Sequence, residues 1–174
     1  MALNRKAVIV RKFAGDGFSR TWCAGYAPTS FASNPTELEI LDSGGKTITL
    51  GWELVKWVCY VRDFPSAGGD QTNPERLLHK RFTVRPRTAG LWLRMTLTDG
   101  EELEGLATND RSLIEGPGLF LTPPDTRANT QRIFVPRLAF QTLEVAGLIG
   151  TARAKRAPDR VEQAELFSSD AEGA

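Results

Sequence analysis

The chain has 174 residues, of which 41% are hydrophobic and 25% charged, and its net charge is +1. Such a composition can bury the core of one ordinary domain or two small ones, and it excludes a phosphate affinity driven by bulk positive charge. The longest apolar stretches, such as Ala7–Val10, fall far below the roughly 20 residues of a membrane-spanning helix and are too short for the core of a signal peptide, so a cytoplasmic protein without membrane contact is expected.

The first expected strand, Ala7–Phe13, leads to Asp16-Gly17, a pair that tolerates positive φ and marks a hairpin. The returning strand carries Thr21-Trp22-Cys23-Ala24 and is expected to end at Gly25, before a loop over 27–36. Leu38–Leu41 and Lys46–Leu50 follow as short strands. An irregular step at Gly51-Trp52-Glu53 then precedes a last strand with Val55, Val58 and Tyr60. Cys23 and Cys59 lie in strand-like runs and read as buried thiols that behave as small apolar side chains. A zinc site needs more ligands at short spacing than these cysteines and the one histidine, His79, supply, so no metal and no cofactor is expected.

Residues 65–89 carry five Lys/Arg against two Asp/Glu, whereas residues 90–150 carry five against eight. Within this basic connector, Asn73-Pro74-Glu75 predicts a short helix through Leu77 and Leu78, with asparagine capping and proline in the first turn. A second series of elements follows. Leu91–Leu97 runs into Asp99-Gly100, and the return strand reaches Gly105 before a loop over 108–117. Leu119–Thr122 and Gln131–Val135 come next, then the step Pro136-Arg137-Leu138 and a last strand with Phe140, Leu143 and Val145. Residues 151–174 are rich in Ala, Arg, Glu, Asp and Ser and read as a flexible tail.

The two series match element by element, which predicts an internal repeat. Alternation places Ile48 and Leu50, or Ile133 and Val135, on one strand face. Five short strands bent by glycines and by the irregular step can curl into a small barrel; a five-stranded open sandwich is the alternative. The expected fold is all-β: a first barrel in 1–64, a linker with a short helix in 65–89, a second barrel in 90–150, and the tail in 151–174.

The stretch Leu93–Gly105 resembles the opening strands of Sm-like proteins, and Ile133–Pro136 through Val145 resembles their closing part. Those proteins are SH3-like barrels, usually RNA binders that assemble into rings. The duplicated arrangement, with Val61-Arg62-Asp63-Phe64 ending the first copy, is similar to an uncharacterised bacterial family of tandem Sm-like domains. The resemblance implies the fold rather than the RNA site. The loop Thr108–Gly116 lacks the spacing of the Asp/Asn signature, and Val135-Pro136-Arg137 stands where a basic residue and a glycine belong.

No nucleophile–base pair and no phosphate-cradling glycine loop is assembled, and the chain is read as non-enzymatic. Glu101, Glu102 and Glu104, beside a hairpin turn, read as solvated. Arg81-Phe82-Thr83-Val84-Arg85 has the Arg-x-x-x-Arg spacing of PilZ domains, barrels that bind cyclic di-GMP. Asp110–Gly116 resembles their downstream Asp/Asn-x-Ser-x-x-Gly strand with one residue too many. Arg81, Arg85 and Arg87 are therefore candidates for holding an anion or nucleotide, because guanidinium forks suit phosphates and bases. For nucleic acid, Lys80 and Arg94 extend this edge, with Phe82 and Trp92 available for stacking. Trp52, Trp57 and Trp92 otherwise read as core or inter-barrel contacts.

In the tail, Asp159–Glu162 has the spacing of a capping box, and Gln163-Ala164-Glu165-Leu166-Phe167 resembles the Gln-x-x-Leu-Phe peptide with which bacterial proteins bind the replication sliding clamp. The resemblance implies that Gln163 hydrogen-bonds at the mouth of a pocket that Leu166 and Phe167 fill. The expected function is a non-enzymatic binding or scaffolding protein, with a sliding clamp as protein partner. The alternatives are a PilZ-like cyclic di-GMP sensor and an Sm-like RNA binder.

Overall fold

The computed structural model describes residues 4–14, 21–31, 36–64, 80–125 and 127–150. Asp16-Gly17, the expected linker helix, His79 and the tail lie outside the described residues. Among those described, every regular element longer than three residues is a strand, as alternation and glycine punctuation predict. The protein is all-β.

The first half contains β1 (Arg5–Lys12), β2 (Trp22–Pro28), β3 (Glu37–Leu41), β4 (Thr47–Gly51) and β5 (Val55–Val61), with a 3-10 turn at Trp52–Leu54. The second contains β6 (Gly90–Leu97), β7 (Glu102–Ala107), β8 (Gly118–Leu121), β9 (Thr130–Pro136) and β10 (Phe140–Ile149), with 3-10 turns at Arg111–Leu113 and Arg137–Ala139. One sheet runs β4-β3-β2-β1-β5-β9-β8 and the other β10-β6-β7. A bridge between Leu106 and Thr122 connects β7 to the end of β8.

The pairings of the first half have counterparts in the second. Val8 lies opposite Gly25 and Tyr60, and Leu93 opposite Gly105 and Val145. Leu38 faces Leu50, and Leu119 faces Val135. Even the register slips correspond: β5 skips Lys56 against β1, and β10 skips Gln141 against β6. Each slip directly follows a 3-10 turn, where a bulge lets the strand bend round a corner.

The returning strands do not end at Gly25 and Gly105, as the sequence suggested, but continue to Pro28 and Ala107. The glycines sit mid-strand because the next strand crosses close above them. A Cβ on Gly105 would stand 2.8 Å from Leu121 Cβ, and one on Gly25 would stand 2.6 Å from the Leu41 carbonyl oxygen. The Asp99-Gly100 turn forms as expected: Gly100 has φ +83° and donates its N–H to the Leu97 carbonyl at 2.9 Å.

Two apolar cores result. One gathers Val8, Val10, Leu38, Ile40, Val58 and Tyr60 with Phe134 of β9. The other gathers Leu93, Met95, Leu103, Leu119, Leu121 and Ile133, and also takes Ile9, Trp57 and Cys59 from the first half. β5 therefore lies between both cores, which explains why its sequence is apolar on both faces. It pairs with β9 through Val58–Phe134, Cys59–Ile133 and Tyr60–Arg132. Trp57 is thus a contact between the halves, while Trp52 packs in the first core, edge-on to Phe31 at 5.1 Å. Tyr60 donates its hydroxyl to the Pro28 carbonyl at 2.5 Å, and burial pushes its phenol well up. Among the described residues, no helix is long and apolar enough to cross a membrane.

Candidate functional site

The β6–β7 hairpin sets Arg94 directly opposite Glu104, and alternation brings Trp92 and Glu102 to the same face, turned from the core. Glu104 is only 3% exposed. Its carboxylate accepts from Arg94 Nε at 2.9 Å, Trp92 Nε1 at 3.1 Å and the Phe82 backbone N–H at 3.0 Å. Its own N–H donates to the Lys80 carbonyl at 2.7 Å, so residues 80–82 lie across β7. Phe82 meets Trp92 edge-on at 5.7 Å. Burial alone would raise the Glu104 carboxyl, but the Phe82, Arg94 and Trp92 donors outweigh it and hold the group low. The hydrogen bond to Glu104 in turn raises Arg94, whose Nη1 also reaches Glu144 of β10 at 3.5 Å.

A second group of charges lies beside the turn. Buried Lys56 pairs with Asp99 at 2.5 Å and with Glu101, and its ammonium sits 5.0 Å from the Trp57 ring. Lys80 shares Glu101 and lies 5.4 Å from the same ring. Arg81 pairs with Glu102. The acidic hairpin is therefore not a solvated run. It holds residues 80–82 of the connector, a long-range pairing for which neither segment carries a local signal.

Of the three arginines expected to hold an anion, Arg81 is engaged with Glu102 and lines a surface cleft of about 250 Å³ together with Phe82, Asp125 and Arg127. Arg85 and Arg87 are exposed and stand outside its walls. The downstream half of the PilZ-like pattern is not brought to the cleft either. Asp110 caps the 3-10 turn by accepting the Ser112 N–H at 2.9 Å, and its hydrogen bonds to Ser112 hold its carboxyl low. Arg137, in the place of the missing Sm-like signature, clamps this loop through the carbonyls of Ser112 at 2.8 Å, Leu113, Glu115 and Gly116.

Lys80, Arg94, Phe82 and Trp92 do come together, but around Glu101 and Glu104 rather than an open face. Gln163, Leu166 and Phe167 lie outside the described residues. Cys23 and Cys59 form no disulfide; burial raises the Cys23 thiol, partly opposed by Lys12.

A feature that the sequence reading missed is the outer rim of β10. Leu143, Val145 and Leu148 lie opposite Met95, Leu93 and Leu91, all buried, and so belong to the core side of the sheet. Yet Val145 is 58% and Leu148 65% exposed. Tyr60, the counterpart of Val145, is 6% exposed because β9 pairs alongside it. The signal was present in the alternate positions. Where β5 has Trp57 and Cys59, β10 has Thr142 and Glu144, the residues of a strand with one core instead of two.

The family model described as "Family of unknown function (DUF6982)" matches residues 4–147, a span that runs from before β1 into β10. Comparison with curated proteins and with solved structures gives no match.

Proposed function

We propose that this chain, which belongs to the DUF6982 family of unknown function, is a non-enzymatic binding or scaffolding protein built from two Sm-like, SH3-like units. The like order of the two halves supports the pair of units: last strand, first, second, third and fourth, as β5-β1-β2-β3-β4 and as β10-β6-β7-β8-β9 with the Leu106–Thr122 bridge. The observation that carries the binding role is the exposed apolar rim of β10, which among the described residues pairs with β6 alone. Large apolar side chains along an unpaired strand edge favour pairing with another polypeptide. In this reading the tail supplies a second contact, with Gln163, Leu166 and Phe167 entering a pocket of a sliding clamp.

The cations favour this reading over the two alternatives. Lys56, Lys80, Arg81 and Arg94 are held by carboxylates of the 99–104 hairpin, so a phosphate ligand would have to displace them. The cleft at Arg81, about 250 Å³, is also smaller than the roughly 300–1,000 Å³ of ordinary ligand sites. A labelled peptide spanning residues 156–171, titrated with purified sliding clamp, should bind saturably and lose binding when Leu166 and Phe167 become alanine. Absence of binding at high micromolar clamp removes the clamp from the account. Calorimetry with cyclic di-GMP, and single-stranded RNA at two salt concentrations, should both be silent. Micromolar cyclic di-GMP binding lost in the double variant Arg81→Ala, Arg85→Ala would establish the nucleotide sensor instead.

A further inference from the structure

We infer that the rim of β10 receives one extended strand of a partner protein, antiparallel to β10, with an aromatic residue opposite Leu143 and a basic residue opposite Glu144. The inference deepens the binding role proposed above and rests on it. It follows from the joint within this chain, which shows what covers the equivalent edge.

At that joint β9 runs antiparallel to β5, with Phe134 opposite Val58, Ile133 opposite Cys59 and Arg132 opposite Tyr60. The counterparts of Val58, Cys59 and Tyr60, fixed by their partners on β1 and β6, are Leu143, Glu144 and Val145. Phe134 closes the first core from the edge, packing 5.3 Å from Trp52 and 4.5 Å from Phe31. An aromatic side chain opposite Leu143 would close the second core in the same way and cover Val145. The neighbouring position points to the other face. There the first unit offers buried Cys59, which accepts Ile133, whereas β10 offers Glu144, 63% exposed at its side chain. Arg94 Nη1 reaches that carboxylate only at 3.5 Å and leaves it largely exposed, so Lys or Arg where β9 has Ile133 would complete its pairing.

The same comparison argues against a second copy of this chain as the occupant. Repeating the internal joint head to tail would dock β4, whose register with β3 makes Thr49 the counterpart of Phe134, Glu39 that of Phe120 and Thr47 that of Arg132. All three are exposed and polar. Pairing β10 with its own copy would set Glu144 near a second carboxylate rather than a cation. The far face of the second unit is equally unsuited to stacking another unit. Where the first unit presents Ile9, Ala24 and Cys59 to the second core, the second presents Arg94, Glu104 and Glu144. Polar outer faces of this kind end a stack of repeats. A slim strand, which needs only the edge, still fits.

The test uses the full chain and a fluorescein-labelled peptide with the sequence of Asn129–Pro136 carrying Ile133→Lys. Fluorescence anisotropy should rise saturably. Val145→Asp in the protein should weaken binding at least tenfold, and Thr49→Pro, on the terminal strand β4 of the other sheet, should leave it unchanged. Glu144→Lys should also weaken it, and a peptide carrying Ile133→Glu should restore binding to that variant. Failure to bind, or binding indifferent to Val145→Asp and to the charge swap, overturns the strand-acceptor inference. A concentration-dependent dimer in sedimentation that Thr49→Pro dissolves would overturn it in favour of a second copy. Hydrogen exchange on the free chain keeps the two levels apart. Rapid exchange along β10 with no peptide binding rejects the partner chemistry alone, whereas protection of β10 in the free chain rejects the open rim itself.

Discussion

Glu104 shows how one residue joins three parts of the chain. Its carboxylate takes donors from β6 and from the connector, and Arg94 passes the contact on to Glu144 of β10. Glu104→Gln weakens these hydrogen bonds without changing the volume, and should lower stability at pH 7 by about 1–3 kcal/mol, the usual worth of bonds to a buried charged group. Because the folded-state carboxyl is held below its ordinary value of about 4.3, the stabilisation is fully present above that pH and is lost as pH falls through the folded value. Urea unfolding at a series of pH values should therefore show the gap between wild type and variant narrowing on acidification. A gap that widened toward acid would reject the assignment. Little of this was legible beforehand. The sequence Glu101-Glu102-Leu103-Glu104 looks like any charged hairpin flank; the expected Asp99-Gly100 hairpin brings Arg94 across from it, but Lys56 of β5 and Lys80 and Arg81 of the connector meet it only in the folded chain.

At the level of strands, glycine spacing and alternation were informative, since they report local geometry. The Asp99-Gly100 turn and the two series of short strands follow from them. The role of Gly25 and Gly105 did not follow, because it depends on the strand crossing above each. Gly25→Ala, whose Cβ would overlap the Ile40 side chain and the Leu41 carbonyl, should cost about 1–3 kcal/mol as overpacking does. Gly105→Ala should cost less, since its nearest backbone neighbour is 3.1 Å away. Denaturant midpoints order the two, and an inverted order would contradict the crossing geometry.

β5 and β10 give a second contrast. Cys59→Glu puts an unpaired charge into the second core and should cost about 3–5 kcal/mol or prevent folding. Glu144→Cys, the reverse exchange at the exposed counterpart, should shift stability by no more than about 0.5 kcal/mol. The continuous apolar run of β5 was visible in the sequence, but such a run does not say which two surfaces cover it.

For the molecule as a whole, the joint is the feature that local pattern could not show. The like order of the two halves is written in their sequences, while the pairing of β5 with β9 spans about 75 residues and depends on how the halves meet. Since Ile9, Trp57 and Cys59 sit in the second core and Phe134 in the first, neither half keeps its core intact without the other. The two should unfold in a single calorimetric transition, and two separable transitions would contradict the shared cores.

β5 and β10 are counterparts, one flanked by β9 and the other with no described strand on its outer side, and amide hydrogen exchange on the full chain compares them directly. β5 amides should exchange only through global unfolding, while the outward-facing amides of β10, alternate along the strand, should exchange orders of magnitude faster. Equal protection along the whole of β10 would mean that its rim is already covered, and would contradict an open edge.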